Sequence, residues 1–207
     1  MIYELDVPIA DDSISQLHVG DQVRINGVIF TARDAAHKYM VEQFVNTGGN
    51  PPQSEQALYE LLKAKLDGGV IYHCGPVVAQ EDGRWRFVAA GPTTSAREEV
   101  YEDLVIEHFN VKAIIGKGGM GPRTLAACQK FKAVYLHAVG GAASLIAQSV
   151  IEVEAVHKKD EFGVPEAFWQ IRVEGFPAVV TMDSHGNSIH EQVAAASASR
   201  FQELVAV

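Results

Sequence analysis

Cysteine is scarce: Cys74 and Cys128 are the only two in a chain of 207 residues. Two distant cysteines cannot build a disulfide framework, and no second Cys or His stands near either at zinc-site spacing. Both are expected to be buried thiols packing as small hydrophobes. Long apolar runs are missing too, since charges or glycines interrupt every stretch well short of the roughly 18 residues that a membrane-spanning helix needs. The N-terminal Met1-Ile2-Tyr3-Glu4-Leu5-Asp6 carries acid where a secretory signal would carry base, which leads us to expect a cytoplasmic protein. Positive charge is in deficit: 17 Lys and Arg against 26 Asp and Glu give a net charge of −9. That balance argues against nucleic acid or an anionic membrane surface as partner. It leaves room for a small anion, which needs only a few cations focused in one cleft. Internal repeats and low-complexity segments are absent as well.

What is present is 47% hydrophobic residues, enough for a substantial core. The first thirty residues read as strand material, with Asp21 to Ile25 and Val28 to Thr31 joined by Asn26-Gly27 in a two-residue hairpin. A helix is expected from Arg33 to about Val45, ended by the Asn46 to Pro52 loop, and another from Glu55 to Leu66. Gly69 to His73 is a strand, and a second hairpin turns at Glu81-Asp82-Gly83 into Trp85 to Ala89. The second half has the rhythm of parallel βα units: Val111 to Ile115 before a helix from Arg123 to Phe131, and Ala133 to Val139 before a small-residue helix ending at Ala147. Val150 to Val153, Phe168 to Val173 and Ala178 to Met182 follow as three strands, and the tail from Ile189 is helical. These elements predict an α/β fold, one layered domain over residues 1–207, with a mixed or parallel sheet plus an antiparallel, hairpin-rich sheet.

Three strand-to-helix junctions carry a cation: Thr31-Ala32-Arg33-Asp34, Gly91-Pro92-Thr93-Thr94-Ser95-Ala96-Arg97, and Gly116-Lys117-Gly118-Gly119. A helix N-terminus favours anions, so basic residues there are unfavourable unless something negative binds. Two arginine forks and a lysine suit a dicarboxylate. The alternative is that each cation lies on a solvated face or pairs with a local acid such as Asp34, Glu98 or Glu99. Gly116 to Gly121 formally matches the G-x-G-x-x-G nucleotide fingerprint, but the next strand ends in Val139-Gly140-Gly141 without the acid that holds a ribose. A P-loop fails because Lys117 is followed by Gly118. Thr94 or Ser95 is expected to cap the following helix. Asp34 and His37 share a helix face, where a capping or surface role is expected because no third metal ligand is evident.

Taken in order, Gly20-Asp21 to Gly27, Thr31 to His37, Gly75-Pro76-Val77, Gly91 to Arg97, Ile115 to Gly121, Gly140 to Ala143, Val164 to Trp169 and Asp183 to Asn187 resemble the β subunit, or C-terminal domain, of class I fumarate hydratases and the related L(+)-tartrate dehydratases. The resemblance spans about residues 20–190. It implies a swivelling β/β/α domain whose substrate lies against an α subunit carrying a [4Fe–4S] cluster, the two forming an α2β2 heterotetramer. By motif, Arg33, Arg97 and Lys117 would bind substrate carboxylates and Thr93 would be the general base, while the open iron acts as Lewis acid on the departing hydroxyl. A threonine hydroxyl is a poor base, so a partner acid from the other subunit is implied. Such a cluster needs three Cys ligands, which this chain lacks, so the partner must hold it. The resemblance implies reversible hydration of fumarate to L-malate, with L(+)-tartrate dehydration to oxaloacetate as the alternative. A module that binds carboxylates without chemistry is the competing class. Two departures stand out: Glu98-Glu99-Val100 where relatives commonly carry Met-Asp or Met-Glu, and an extended segment from Asn46 to Gly68, expected to shape the subunit contact.

Overall fold

The computed structural model describes residues 2–205. Its centre is a seven-stranded mixed sheet that closes on itself, beside a separate two-stranded hairpin. Four strands, β2 (Gln22–Thr31), β3 (Val70–Tyr72), β6 (Ala113–Gly116) and β7 (Val134–His137), run parallel in that order. The 15-residue β9 (Phe168–Met182) is antiparallel to both outer members and joins β7 back to β2. One edge of β9 pairs with β2 from Trp169 opposite Thr31 to Val179 opposite Gln22. Its other edge is shared, the first part by β8 (Val150–His157) and the last by β7. β1 (Ile2–Asp6) lies parallel to the first half of β2.

Strand periodicity explains the two cores. Val70, Tyr72, Ala113, Ile115, Val134 and Leu136 fall in one buried cluster, which fills the ring with Ile25, Trp169, Ile171 and Phe176. The intervening Ile71, Ile114 and Tyr135 belong to a second cluster, beneath the helices α2 (Asp34–Met40), α4 (Glu99–Phe109) and α5 (Pro122–Phe131). Strands covered on both faces read as continuous apolar runs, as these do. Each fully buried Leu, Ile, Val or Phe contributes ~1.5–3 kcal/mol.

Several sequence expectations are corrected. Asn26-Gly27 is not a hairpin: β2 continues through it as a β-bulge, with the register shifting between Ile25 and Gly27. The dipeptide is held on both sides, because Val7 N donates to Asn26 O (2.9 Å) and Gly175 N to Asn26 Oδ1 (2.7 Å). A glycine-type bulge and a primed hairpin turn both use a residue at positive φ, and Gly27 has φ +115°. The opening segment is not all strand, since the short α1 (Asp11–Ser15) packs Ile14 into the ring core. Phe168 to Val173 and Ala178 to Met182 are one strand that bends at Gly175 (φ +61°). The expected mixed sheet and separate antiparallel sheet are both present, the first closed on itself and the second a single hairpin.

That hairpin is β4 (Val77–Glu81) and β5 (Arg84–Ala89), turning at Asp82 (φ +50°) and Gly83 (φ +77°) as the sequence suggests. Trp85 and Phe87 pack edge-on against Trp169, at 5.5 and 5.7 Å between ring centroids. α2 runs on into a π-helical turn at Val41–Val45. Within the 46–68 segment, α3 (Gln56–Leu66) buries Leu62 and Leu66 in the outer core. Three further helices, α6 (Ala143–Ala147), α7 (Lys159–Phe162) and α8 (Ile189–Val205), complete the described chain. No helix among the described residues is long and apolar enough to cross a membrane.

The bulge and the hairpin turn predict unequal costs. A Cβ on Gly27 would lie 3.2 Å from Val7 O and 3.1 Å from Val7 Cβ, whereas one on Gly83 meets nothing within 4 Å. Gly27→Ala should lower unfolding free energy by ~2–3 kcal/mol and Gly83→Ala by ~1 kcal/mol. Urea midpoints measure both, and equal losses would contradict a constrained bulge.

Candidate active site

The parallel strands β2, β3 and β6 end side by side at Thr31, Tyr72 and Gly116, so the segments after them share one rim of the ring. This is the edge where parallel sheets present ligands. The 91–97 segment is threaded between two of these strand ends by isolated bridges, Cys74 with Pro92 and Thr94 with Lys117. Thr93 N donates to His73 O (2.7 Å), Lys117 N to Thr93 O (3.2 Å), and Ser95 N to Lys117 O (3.1 Å). The backbones of Thr93 and Lys117 are thus neighbours. The Thr93 hydroxyl donates to His73 O at 3.2 Å.

Arg33 ends the β2 connection as the residue before α2, and its Nη1 lies 3.1 Å from Glu166 Oε1. The same nitrogen reaches Pro165 O at 3.5 Å, while Arg33 Nε is buried with no acceptor. Arg97 grips Asp34 with both prongs of its fork, Nε to Oδ1 at 2.8 Å and Nη2 to Oδ2 at 3.0 Å. That bond holds the Asp34 carboxyl below its ordinary range against the opposing effect of burial. Because Asp34 is depressed in the folded state, the pair stabilises above the ordinary Asp range and fades as pH falls through the lowered value. Both side chains are nearly half exposed, so the contribution is small. The local-acid alternative therefore describes Arg97, though Asp34 sits in the Arg33 loop and ties two cationic segments together. Among the described residues Lys117 has no ion-pair partner. Arg33 and Arg97 thus stand among three acids, Asp34, Glu166 and the buried Glu98 3.9 Å from Arg97 Nη2, and Lys117 is the unpaired cation of the rim.

Behind the rim lies a buried polar cluster. His73 Nε2 and His37 Nε2 stand 3.0 and 3.2 Å from the same Glu102 Oε2, and all three side chains are fully buried. His37 Nδ1 is 3.0 Å from Arg33 O, and His73 Nδ1 is 2.8 Å from Ser95 Oγ. Ser95 Oγ also accepts from the Tyr135 hydroxyl at 2.9 Å. Burial pushes the Glu102 carboxyl upward, but the His37 and His73 imidazoles outweigh it and bring it to about 2. Glu98, one helical turn earlier, is pushed up by burial against the pull of the same imidazoles.

Two expectations fail here. His37 is not a surface residue: Asp34 faces out to Arg97, while His37 points under the sheet edge beneath α4. Neither Thr94 nor Ser95 caps a helix by its side chain, because Ser95 is buried and its hydroxyl is engaged by Tyr135 and His73. His73, Glu102, Ser95, Tyr135 and Glu166 were not foreseen as parts of the site. The available hint was Glu98 and Glu102 at i, i+4 on one helix face among apolar neighbours.

Cys74 and Cys128 are buried as expected, and they belong to different cores. Burial pushes the Cys74 thiol up to about 12 and raises Cys128 as well. Separate, protonated, inaccessible sulfurs do not fit an iron–sulfur cluster held by this chain.

The fumarase C-terminus family model matches residues 2–193. The chain belongs to that family. It is 45% identical to a protein from Geobacillus stearothermophilus named as a class I fumarate hydratase, over 98% of this chain and 36% of that protein. It is also 41% identical to a protein from Methanocaldococcus jannaschii named as an L(+)-tartrate dehydratase subunit beta, over 93% of each chain. The L(+)-tartrate dehydratase subunit beta of Escherichia coli K12 shares 38% identity over 89% of this chain and 85% of its own. The chain thus spans about a third of the fumarate hydratase relative and nearly the whole of the subunit-beta relatives.

For this family member the thiols give a direct check. A thiol reagent should find no rapidly reacting group in the native chain and both Cys74 and Cys128 in denaturant. Fast native labelling of either would contradict the burial.

Proposed function

We propose that this chain is the β subunit of a two-subunit iron–sulfur hydro-lyase that reversibly hydrates fumarate to L-malate in the cytoplasm. The unit would be the family's swivelling β/β/α domain, a single domain over residues 1–207. The observation that carries the proposal is the convergence of the segments bearing Arg33, Arg97 and Lys117 on that of Thr93 at the ends of β2, β3 and β6. Arg33 Nε is a buried donor still without an acceptor, and the Arg97–Asp34 fork is an exposed pair that a carboxylate can replace at little cost. Those three cations would bind the two substrate carboxylates. Thr93 would take or return the proton at the substrate carbon as general base. Neighbouring cations lower the energy of its alkoxide, and an acid from outside this chain would complete the relay.

The [4Fe–4S] cluster is assigned to a cluster-bearing α subunit in an α2β2 heterotetramer, because the buried cysteines here do not suit it. Relatives in which this unit is a third of a longer chain, and others in which it is nearly a whole subunit beta, support an active site completed from elsewhere. L(+)-Tartrate is the alternative substrate, favoured by the names of the subunit-beta relatives.

Anaerobic co-expression with the α subunit, followed by assays on fumarate, L-malate and L-tartrate, tests the proposal. Thr93→Ala should lower kcat by ~100-fold or more with KM little changed. Arg97→Lys should mainly raise KM, because the bidentate fork is lost. Full turnover by the isolated chain, or by Thr93→Ala, would sink this reading.

A further inference from the structure

We propose that His37, His73 and Glu102 form a binding site for one divalent transition-metal ion of the zinc type, buried behind the rim and separate from any iron–sulfur cluster. One donor atom from each residue lies within 4.8 Å of the others. The two edges that meet at Glu102 Oε2 are 3.0 and 3.2 Å. Metal–ligand bonds near 2.0–2.2 Å in a tetrahedral arrangement place ligand atoms about 3.3 Å apart, so these two edges are within a few tenths of an ångström of a ligating array, and the third, between the two imidazole nitrogens, is within 4.8 Å.

Hydrogen-bond accounting supports an ion between them. Arg33 O can only accept, so the 3.0 Å contact requires the proton of His37 to be on Nδ1. With the ring neutral, the bare Nε2 lone pair faces a carboxylate oxygen and calls for a cation between them, whereas an imidazolium would pair with Glu102 directly. The approach is also misaligned for a hydrogen bond, and Nε2 has no such partner despite the 3.2 Å separation. His73 also turns Nε2 to Glu102, at 3.0 Å and in hydrogen-bond geometry, with Nδ1 2.8 Å from a Ser95 hydroxyl that can donate or accept. Outer nitrogens engaged by oxygen and inner nitrogens convergent on a carboxylate are the habit of metal-bound histidines.

Charge gives an independent reason. Glu102 Oε1 and both oxygens of Glu98 are buried without hydrogen-bond partners. Arg97 Nη2, 3.9 Å from Glu98, is committed to Asp34. A divalent ion would balance the two carboxylates, Glu102 as ligand and Glu98 as a neighbouring charge. Two imidazoles and one carboxylate suit zinc, cobalt or nickel better than the all-oxygen preference of magnesium or calcium. Since His37 holds Arg33 O and His73 holds Ser95, the ion would pin together the segments that carry Arg33 and Thr93.

Elemental analysis of the untagged full chain, purified without chelator, should find one such ion per chain. After stripping with a chelator, Co2+ should restore it with the intense visible bands of a low-coordinate nitrogen–oxygen site, and Zn2+ should raise the melting temperature saturably. Glu102→Gln and His73→Gln should abolish both signals, and Ser95→Ala should weaken affinity about 10- to 100-fold. Should the two ligand variants fail to fold, Ser95→Ala and the wild-type cobalt spectrum still decide. A folded wild-type chain that neither retains an ion nor responds to Zn2+ or Co2+ would overturn the proposal, as would a bound ion whose affinity is unchanged in Ser95→Ala or in a folded ligand variant.

Discussion

Closure of the sheet by β9 is the constraint on which the rest depends. A parallel run of β2, β3, β6 and β7 leaves two open edges, and one strand of 15 residues pairs with both. It can do so because its length lets β8 and β7 share one edge while β2 occupies the other. Closure removes unpaired main-chain groups and encloses an apolar interior around Trp169, Ile171 and Phe176. Without β9 the β2 strand would lose its longest partner, and the strand ends at the rim would have no common reference.

The rim follows from that closure. Parallel strands put their C-terminal ends on the same side, so three segments far apart in the chain meet there, and the short bridges of Pro92 and Thr94 draw in the fourth. Helix starts at such an edge favour negative groups, and the cations there add to the effect. Asp34 and Glu166 occupy Arg97 and Arg33, which keeps the forks oriented and limits repulsion between them. Among the described residues Lys117 remains without an ion-pair partner, on a chain whose net charge is −9. Sum and distribution of charge are thus separate properties of this protein.

The polar cluster under the rim answers a different demand. His37, His73, Glu98 and Glu102 are buried within a mostly apolar helix layer, where unpaired charge is costly. Their contacts reach Arg33 O and Ser95, so a feature that weighs on stability also sets the positions of the exposed site.

Much of the architecture was legible in the chain itself. Apolar runs marked β3, β6 and β7 because strands buried on both faces have little choice of residue, and Asp82-Gly83 marked a turn because few other residues accept positive φ. The cationic junctions at Arg33, Arg97 and Lys117 raised an anion site by local chemistry but left pairing with acids equally open, and only tertiary contacts put Arg97 on Asp34 and Arg33 on Glu166. Asn26-Gly27 misled for the same local reason: a bulge and a turn ask the same of glycine, and only the pairing of β2 with β9 separates them. Tertiary structure alone decided that His37 is buried beside His73 and Glu102, that Arg97 reaches Asp34 across 63 residues of sequence, and that the sheet closes. Those outcomes depend on contacts between distant segments, and single-chain periodicity carries information only about neighbours along the chain.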